Sequence, residues 1–228
     1  MTALVLWDVD YTLVDAAGLG TRLYQDVFLA MFGRELAATA PKAGRTDRAI
    51  ALGTLALAGV AEPRGHVDSF LAGLARHVAA QDGVAVTALP GASAAIAALG
   101  SRAVRQSVLT GNIRPLAELK LRAAGLGPGL DLDAGAYGGD HEVRAELVGV
   151  ARRAAKAAYG DDFGGESTVL VGDTPLDVEA ALATGARAVG VATGSYPAQA
   201  LGDAGAHAVL PDLRDTGRLV AAVLGTRP

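Results

Sequence analysis

Short apolar runs that stop abruptly at polar or glycine residues set the rhythm of this chain. Ala3-Leu-Val-Leu-Trp7 halts at Asp8, Val104–Leu109 at Thr110-Gly-Asn, Thr168–Val171 at Gly172-Asp-Thr, Ala188–Ala192 at Thr193-Gly-Ser, and Ala206–Leu210 at Pro211-Asp. Continuous rather than alternating apolar residues predict parallel strands buried on both faces. Between the runs, helical patterns cover about 91–100, 113–124, 142–158, 176–184 and 212–224, and a further strand is expected at 134–137. Strand and helix in alternation predict an α/β fold with a doubly wound, Rossmann-like parallel sheet, whose ligands sit beyond the carboxyl ends of the strands. Asp8, Thr110 and Asp173 all fall at such ends.

Residues 16–87 break the rhythm, with amphipathic pieces near 19–33, 46–58 and 66–80 and no convincing strand; Leu23, Val27, Phe28 and Met31 recur at helical spacing. The expected organisation is an α/β core made of 1–15 and 88–228, with an all-helical insertion at 16–87 joined through Val14–Gly18 and Gly83–Gly91.

Composition narrows the chemistry. With no cysteine among 228 residues, a disulfide framework, a thiolate metal site and a cysteine nucleophile are excluded. Twenty Lys and Arg against 24 Asp and Glu give a net charge of −4, which leaves no basic footprint for nucleic acid, and aromatics at 4% offer few platforms for stacking bases. The N-terminal run lacks a basic flank, and the Ala-rich tract Gly83–Ser101 is broken by Pro90-Gly91, so neither a signal peptide nor a membrane span is expected; a cytoplasmic protein is.

Three constellations could carry chemistry. In Asp8-Val-Asp-Tyr-Thr12, two carboxylates at i and i+2 repel unless a cation or a proton intervenes, so the tract is a metal or acid–nucleophile site, or else a solvated turn. In Gly172-Asp-Thr-Pro-Leu-Asp177, Asp173 and Asp177 bracket a helix start marked by Pro175, which suits either ligation or simple capping. In Leu109-Thr-Gly-Asn112, a hydroxyl and backbone N–H groups at a strand-to-helix turn suit a phosphate oxygen or an ordinary N-cap.

Order, spacing and strand context agree across all three, and together they resemble the haloacid dehalogenase superfamily. Asp8–Leu13 is similar to its first motif, Thr110-Gly-Asn112 to its second and Gly172–Asp177 to its fourth. The helical insertion resembles the cap of the phosphoglycolate phosphatase and β-phosphoglucomutase branch, and Gly44-Arg-Thr-Asp-Arg-Ala-Ile50 the cap loop that selects substrate. The family's remaining motif is a basic residue, usually lysine. Arg144, in Gly139-Asp-His-Glu-Val-Arg144, is the first candidate, with Lys120 and Lys156 as rivals inside helices.

The resemblance implies a Mg²⁺-dependent phosphatase acting on a small phosphorylated metabolite, as monomer or homodimer. It casts Asp8 as nucleophile and Asp10 as acid and base, with Asp8, Asp173 and the Asp10 carbonyl on the metal and Asp177 as a water-mediated ligand or a support. Thr12 would orient Asp10, Thr110, Gly111, Asn112 and Arg144 would bind the phosphoryl group, and Arg45 the far end of the substrate. Asp10 argues against dehalogenation, since a departing halide needs no proton. Lys42, the sole lysine of the insertion, precedes the cap-loop tract, which argues against a Schiff-base phosphonate hydrolase. A phosphomutase sharing the same core is the alternative, with a non-catalytic phosphate-responsive protein behind it. Trp7 reads as core and His207 as structural, His66 and His77 as surface or interface residues on cap helices, and His141, though near the site, has no evident metal partner.

Overall fold

The computed structural model describes residues 2–102 and 104–226. Its central sheet has five parallel strands, and a two-residue ribbon stands apart from it. In chain order the strands are β1 (Ala3–Trp7), β2 (Val14–Asp15), β3 (Thr87–Ala88), β4 (Val104–Val108), β5 (Thr168–Gly172), β6 (Arg187–Val191) and β7 (Ala208–Leu210). The sheet order is β4-β1-β5-β6-β7, so β1 lies between β4 and β5, with Trp7 opposite Val108 on one side and Val171 on the other. Asp8 therefore emerges between the ends of two neighbouring strands, its N–H donating to the Val171 carbonyl at 2.8 Å.

Alternate side chains of the sheet enter two apolar layers. Val5, Trp7, Val169, Val171, Val189 and Val191 face helices α4 (Ala92–Gly100), α5 (Arg114–Ala123) and α9 (Thr216–Leu224). Leu4, Leu6, Leu170 and Ala188 face α6 (Arg144–Tyr159), α7 (Pro175–Ala183) and the short α8 (Ala198–Asp203). Trp7 is a core residue, fully buried, its indole N–H donating to Gln106 Oε1 at 3.1 Å.

The segment between β2 and β3 contains α1 (Leu19–Phe32), α2 (Asp47–Leu57) and α3 (Pro63–Ala79). Its apolar stripes, including Leu23, Tyr24, Val27, Phe28, Leu55, Phe70 and Leu74, build a cluster of their own that continues onto Ile113, Leu116 and Leu119 of the α5 region. Truncating Phe70, which has no exposed surface, would leave a cavity there worth roughly 3–5 kcal/mol. The two chain crossings are stitched together by the antiparallel ribbon β2–β3, which pairs Val14 with Ala88 and Asp15 with Thr87.

Three details depart from the sequence reading. The strand expected at 134–137 is a 3-10 turn at Leu132–Ala134 followed by a single bridge, Leu109 to Ala136. Asp131 caps that turn through its side chain, and Gly138-Gly139 ends the extended stretch after one ladder step. Helix α9 starts at Thr216 rather than near 212, because the Asp215 carboxylate accepts from the Arg218 N–H and fixes the start there. Helix α8 was not expected; it follows Pro197 and lays Leu201 over Gly190. Among the described residues, no helix is long and apolar enough to cross a membrane.

Candidate active site

The loop after β1 folds tightly, with the Leu13 and Val14 N–H groups both donating to the Val9 carbonyl. That curl needs Tyr11 at φ 57°, a left-handed conformation uncommon outside glycine, and leaves its ring half exposed at the cavity mouth. It also turns Thr12 inward, fully buried, where its hydroxyl reaches Asp173 Oδ1 at 3.4 Å. Thr12 thus meets Asp173 rather than Asp10 and does not line the cavity, contrary to the substrate-binding and Asp10-orienting role read from sequence.

Asp8, Asp173 and Asp177 converge from the ends of β1 and β5, each offering a carboxylate oxygen such that the three lie within 4.8 Å of one another, all buried. Burial pushes the Asp8 carboxyl up to about 7, and the negative charges of Asp177 and Asp10 add to this against the opposing pull of Arg144. Asp173 is pushed up to about 8 by burial and by its neighbours Asp8 and Asp177. One oxygen of Asp177 accepts from the Thr174 N–H and hydroxyl, completing a reciprocal cap on α7 with the bond from the Asp177 N–H to Thr174 Oγ1. Its other oxygen pairs with Arg144 Nη2 at 2.5 Å. With both oxygens so engaged, Asp177 suits a supporting place more than direct ligation.

Arg144 opens α6 and is buried. Its Nη2 donates to Asp8 Oδ1 at 2.8 Å and approaches the Leu109 carbonyl at 3.4 Å, while its Nε is buried without a partner. Desolvation opposes its charge, but Asp177 and Asp8 more than compensate and hold its pKa above the ordinary arginine value. Of the three basic candidates, Arg144 is the one that touches Asp8. Lys120 instead grips Asp10, donating to Oδ1 at 2.8 Å and Oδ2 at 2.7 Å, and Lys156 pairs with Asp162 on the surface.

Thr110 and Asn112 form the opposite wall. Thr110 Oγ1 accepts from the Asn112 N–H and Nδ2, leaving its own proton free to donate into the cavity. Between them Gly111 is pressed against the segment after α1: a Cβ there would stand 2.0 Å from the Arg45 carbonyl oxygen. The contact continues as a row of cross-links. The Asp47 N–H donates to the Gly111 carbonyl at 2.6 Å, Asp47 Oδ2 accepts from the Ile113 N–H at 2.7 Å, and Arg48 reaches the carbonyls of Gly138 and Gly139. Thr46 adds a bond to the Glu142 carbonyl at 2.9 Å. The Gly44–Ile50 tract is thereby seated directly on the Thr110-Gly-Asn turn.

These walls enclose a cavity of about 190 Å³, lined by Asp8, Asp10, Thr110, Arg144 and Asp173 from the sheet side and by Tyr24, Lys42 and Arg45 from the helical segment. Lys42 lies over the Tyr24 ring and bonds to Thr21, and burial lowers its pKa. Arg45 is exposed at the rim. His141 accepts from the Val143 N–H in an exposed turn, while His66 packs on Phe32 and His207 accepts from the Ala188 N–H.

Sequence reading leaves several of these without the place they take. Lys42, whose position before the cap-loop tract argues only against a Schiff-base role, is turned into the cavity by the fold. Gly194 is needed because a Cβ there would come within 1.8 Å of Asp173 Oδ2; its only signal is that Thr193-Gly-Ser ends β6 beside β5. Lys120 carried a clearer one, since Ile113, Leu116, Ala117, Lys120 and Leu121 share one buried helical stripe and a lysine on such a stripe requires a partner.

The profile of haloacid dehalogenase-like hydrolases matches residues 5–182, from β1 to the end of α7. The chain belongs to that family of hydrolases. Solved structures share the family fold over almost the full chain. A predicted phosphatase from Clostridium acetobutylicum superposes with TM-score 0.70 at 16% identity, covering 96% of this chain and 99% of its own. A hydrolase from Pseudomonas syringae does so with TM-score 0.63 at 21% identity over 96% and 98%, and CbbY from Rhodobacter sphaeroides, determined in complex with phosphate, with 0.61 at 17% over 95% and 97%. No curated protein matches the sequence. In this hydrolase the acidic trio, Arg144 and the Thr110 turn lie at the carboxyl ends of the strands, where open parallel α/β sheets in general bind ligands.

Proposed function

We propose that this hydrolase is a Mg²⁺-dependent phosphatase of small phosphate monoesters, with residues 16–87 serving as its cap. The observation that carries the reading is the trio Asp8, Asp173 and Asp177, buried against one arginine at the floor of a small covered cavity. When ionised, three carboxylates against a single guanidinium leave an excess of buried negative charge, and the donors are all hard oxygens. That combination fits Mg²⁺, which Asp8 and Asp173 would hold through their carboxylates, with the Asp10 carbonyl as the further oxygen that the family resemblance implies. When bound, the ion offsets the repulsion between an attacking carboxylate and a phosphate dianion.

The chain's own residues supply the rest. An Asp8 oxygen attacks phosphorus as the bond to the leaving oxygen breaks, and the departing alkoxide takes its proton from the Asp10 carboxyl. Water then attacks the aspartyl-phosphate and passes a proton to Asp10. The bond from phosphorus to Asp8 breaks, and phosphate leaves with both aspartates restored. Thr110 and Arg144, which both line the cavity, are suited to the phosphoryl oxygens, whose charge must be stabilised in both steps. The cap loop seated on Gly111 keeps bulk water out, and Lys42 and Arg45 face the far end of the ester.

The test is phosphate release from a panel of phosphorylated metabolites with Mg²⁺ or EDTA, for wild type and Asp8→Asn. Metal-dependent release that Asp8→Asn loses supports the reading. Full turnover by Asp8→Asn removes the nucleophile assignment, and isomerisation of a sugar phosphate without phosphate release moves the protein to the mutase alternative.

A further inference from the structure

Lys120 is the one buried lysine among the described residues, 3% exposed, and all three of its ammonium hydrogens have acceptors: the two Asp10 oxygens and Asn112 Oδ1 at 2.8 Å. Asn112 closes the triangle by donating from Nδ2 to Asp10 Oδ2 at 2.7 Å. The Asp10 oxygens thus receive three hydrogen bonds from two side chains, which fix the position of the carboxyl group. Oδ2 takes two of the three, leaving Oδ1 with a single donor and lone-pair capacity for a further proton. The platform is rigid: α5 packs Ala117 and Leu121 on the sheet and Leu116 and Leu119 on the helical segment, and its start is pinned by Asp47. The two buried cations therefore divide the site, Arg144 on Asp8 and Lys120 on Asp10.

We propose that Lys120 is a positioning residue which, with Asn112, fixes the Asp10 carboxylate as the proton acceptor for the attack of water on the aspartyl-phosphate. The inference rests on the phosphatase reading above and adds a role to a residue which that reading leaves without one. Lys120 acts through Asp10 and touches neither phosphorus nor the metal ligands of the trio. Its loss should fall on the second half of the reaction, in which the water–phosphorus bond forms, the phosphorus–Asp8 bond breaks and the water's proton moves to Asp10 Oδ1.

The experiment uses the Mg²⁺-loaded full chain and p-nitrophenyl phosphate, whose leaving group departs without a proton, and reads the first turnover as well as the steady state. For Lys120→Met the expected result is a kcat about 100-fold lower, the scale of a general base losing its placement, with KM within about threefold of wild type. A burst of one nitrophenolate per site should appear as the phosphoenzyme accumulates. Lys120→Gln, which keeps a donor, should fall between the two, and it is the variant to read if the methionine protein does not melt cooperatively. On an Asp10→Asn background, Lys120→Met should cost no further activity. A kcat within threefold of wild type in folded Lys120→Met, a kcat equal to wild type in Lys120→Gln where that is the variant read, a loss without a burst, or an additive loss on Asp10→Asn would overturn the proposal. A wild type that releases no phosphate from any ester would instead sink the phosphatase reading itself.

Discussion

Asp47 is the residue through which the helical segment holds the Thr110-Gly-Asn turn, so Asp47→Ala measures how much that seat is worth. Its carboxylate is buried and accepts from the Ile113 N–H at 2.7 Å and from the Tyr24 hydroxyl at 2.8 Å. Alanine leaves the Ile113 N–H buried without a partner, a cost of about 1–3 kcal/mol. The Tyr24 hydroxyl keeps the Asp47 carbonyl at 3.1 Å and so loses less, about 0.5–1.5 kcal/mol for one net bond. Against this, burial raises the Asp47 pKa even though the bonds from Ile113 and Tyr24 lower it, so removing the carboxylate returns part of a desolvation penalty. The net expectation is a loss of about 2 kcal/mol, or about 4–8 °C in Tm for a chain of this size. Because the same bonds fix the Thr110-Gly-Asn turn, kcat/KM should fall by about tenfold or more, since displacements near 1 Å in a positioned site cost up to about 100-fold. Thermal melting and steady-state kinetics on one preparation decide the matter. Asp47→Asn, whose amide can still accept from Ile113 while donating to the phenol oxygen, should keep most of both. A Tm and kcat/KM unchanged in Asp47→Ala would refute the claim that this contact seats the turn.

Further outcomes follow from the same geometry. Because the folded metal-free protein keeps protons on Asp8 up to about 7 and on Asp173 up to about 8, while the unfolded chain loses them near 4, its stability should fall as pH rises from 4 to 8 and level off above. Mg²⁺ selects the ionised pair, so melting curves should show a larger Mg²⁺-dependent gain at pH 8 than at pH 5; the reverse order would contradict the assignment of Asp8 and Asp173 as metal ligands. Gly194→Ala places a methyl group 1.8 Å from Asp173 Oδ2 and should abolish the Mg²⁺-dependent rise in Tm, read by the same melts, while Gly202→Ala, with open space around it, should leave that rise intact. Arg144→Met strips the counter-cation from Asp8 and Asp177 and should cost about 3–5 kcal/mol in denaturant unfolding without Mg²⁺, the penalty of leaving a buried charge uncompensated.

The strands were legible because each apolar run ends at a residue whose polarity stops burial, and parallel pairing then carried Asp8, Thr110 and Asp173 to one edge. Arg144 was legible as the basic residue that meets Asp8. The contacts of Thr12 and Lys120 were not. Whether Thr12 faces Asp10 or Asp173 depends on the left-handed turn at Tyr11, and Lys120 meets Asp10 across 110 positions of sequence through the rotation of α5. The 134–137 segment misled because its apolar residues do enter the sheet edge, but for one bridge only. Lys42 and Asp47 depended on how the helical segment sits over the turn, a tertiary fact that helical periodicity does not encode.

The central claim is that Asp8 carries the phosphoryl group, and the most direct measurement is to trap it. Wild type turning over with Mg²⁺ is quenched during steady state, reduced with borohydride, which converts an aspartyl-phosphate to homoserine, and digested for mass spectrometry. The account predicts homoserine at position 8, dependent on substrate and Mg²⁺ and raised in Lys120→Met. Full phosphate release with Asp8 unmodified in every sample, or with the label on another aspartate, would contradict it.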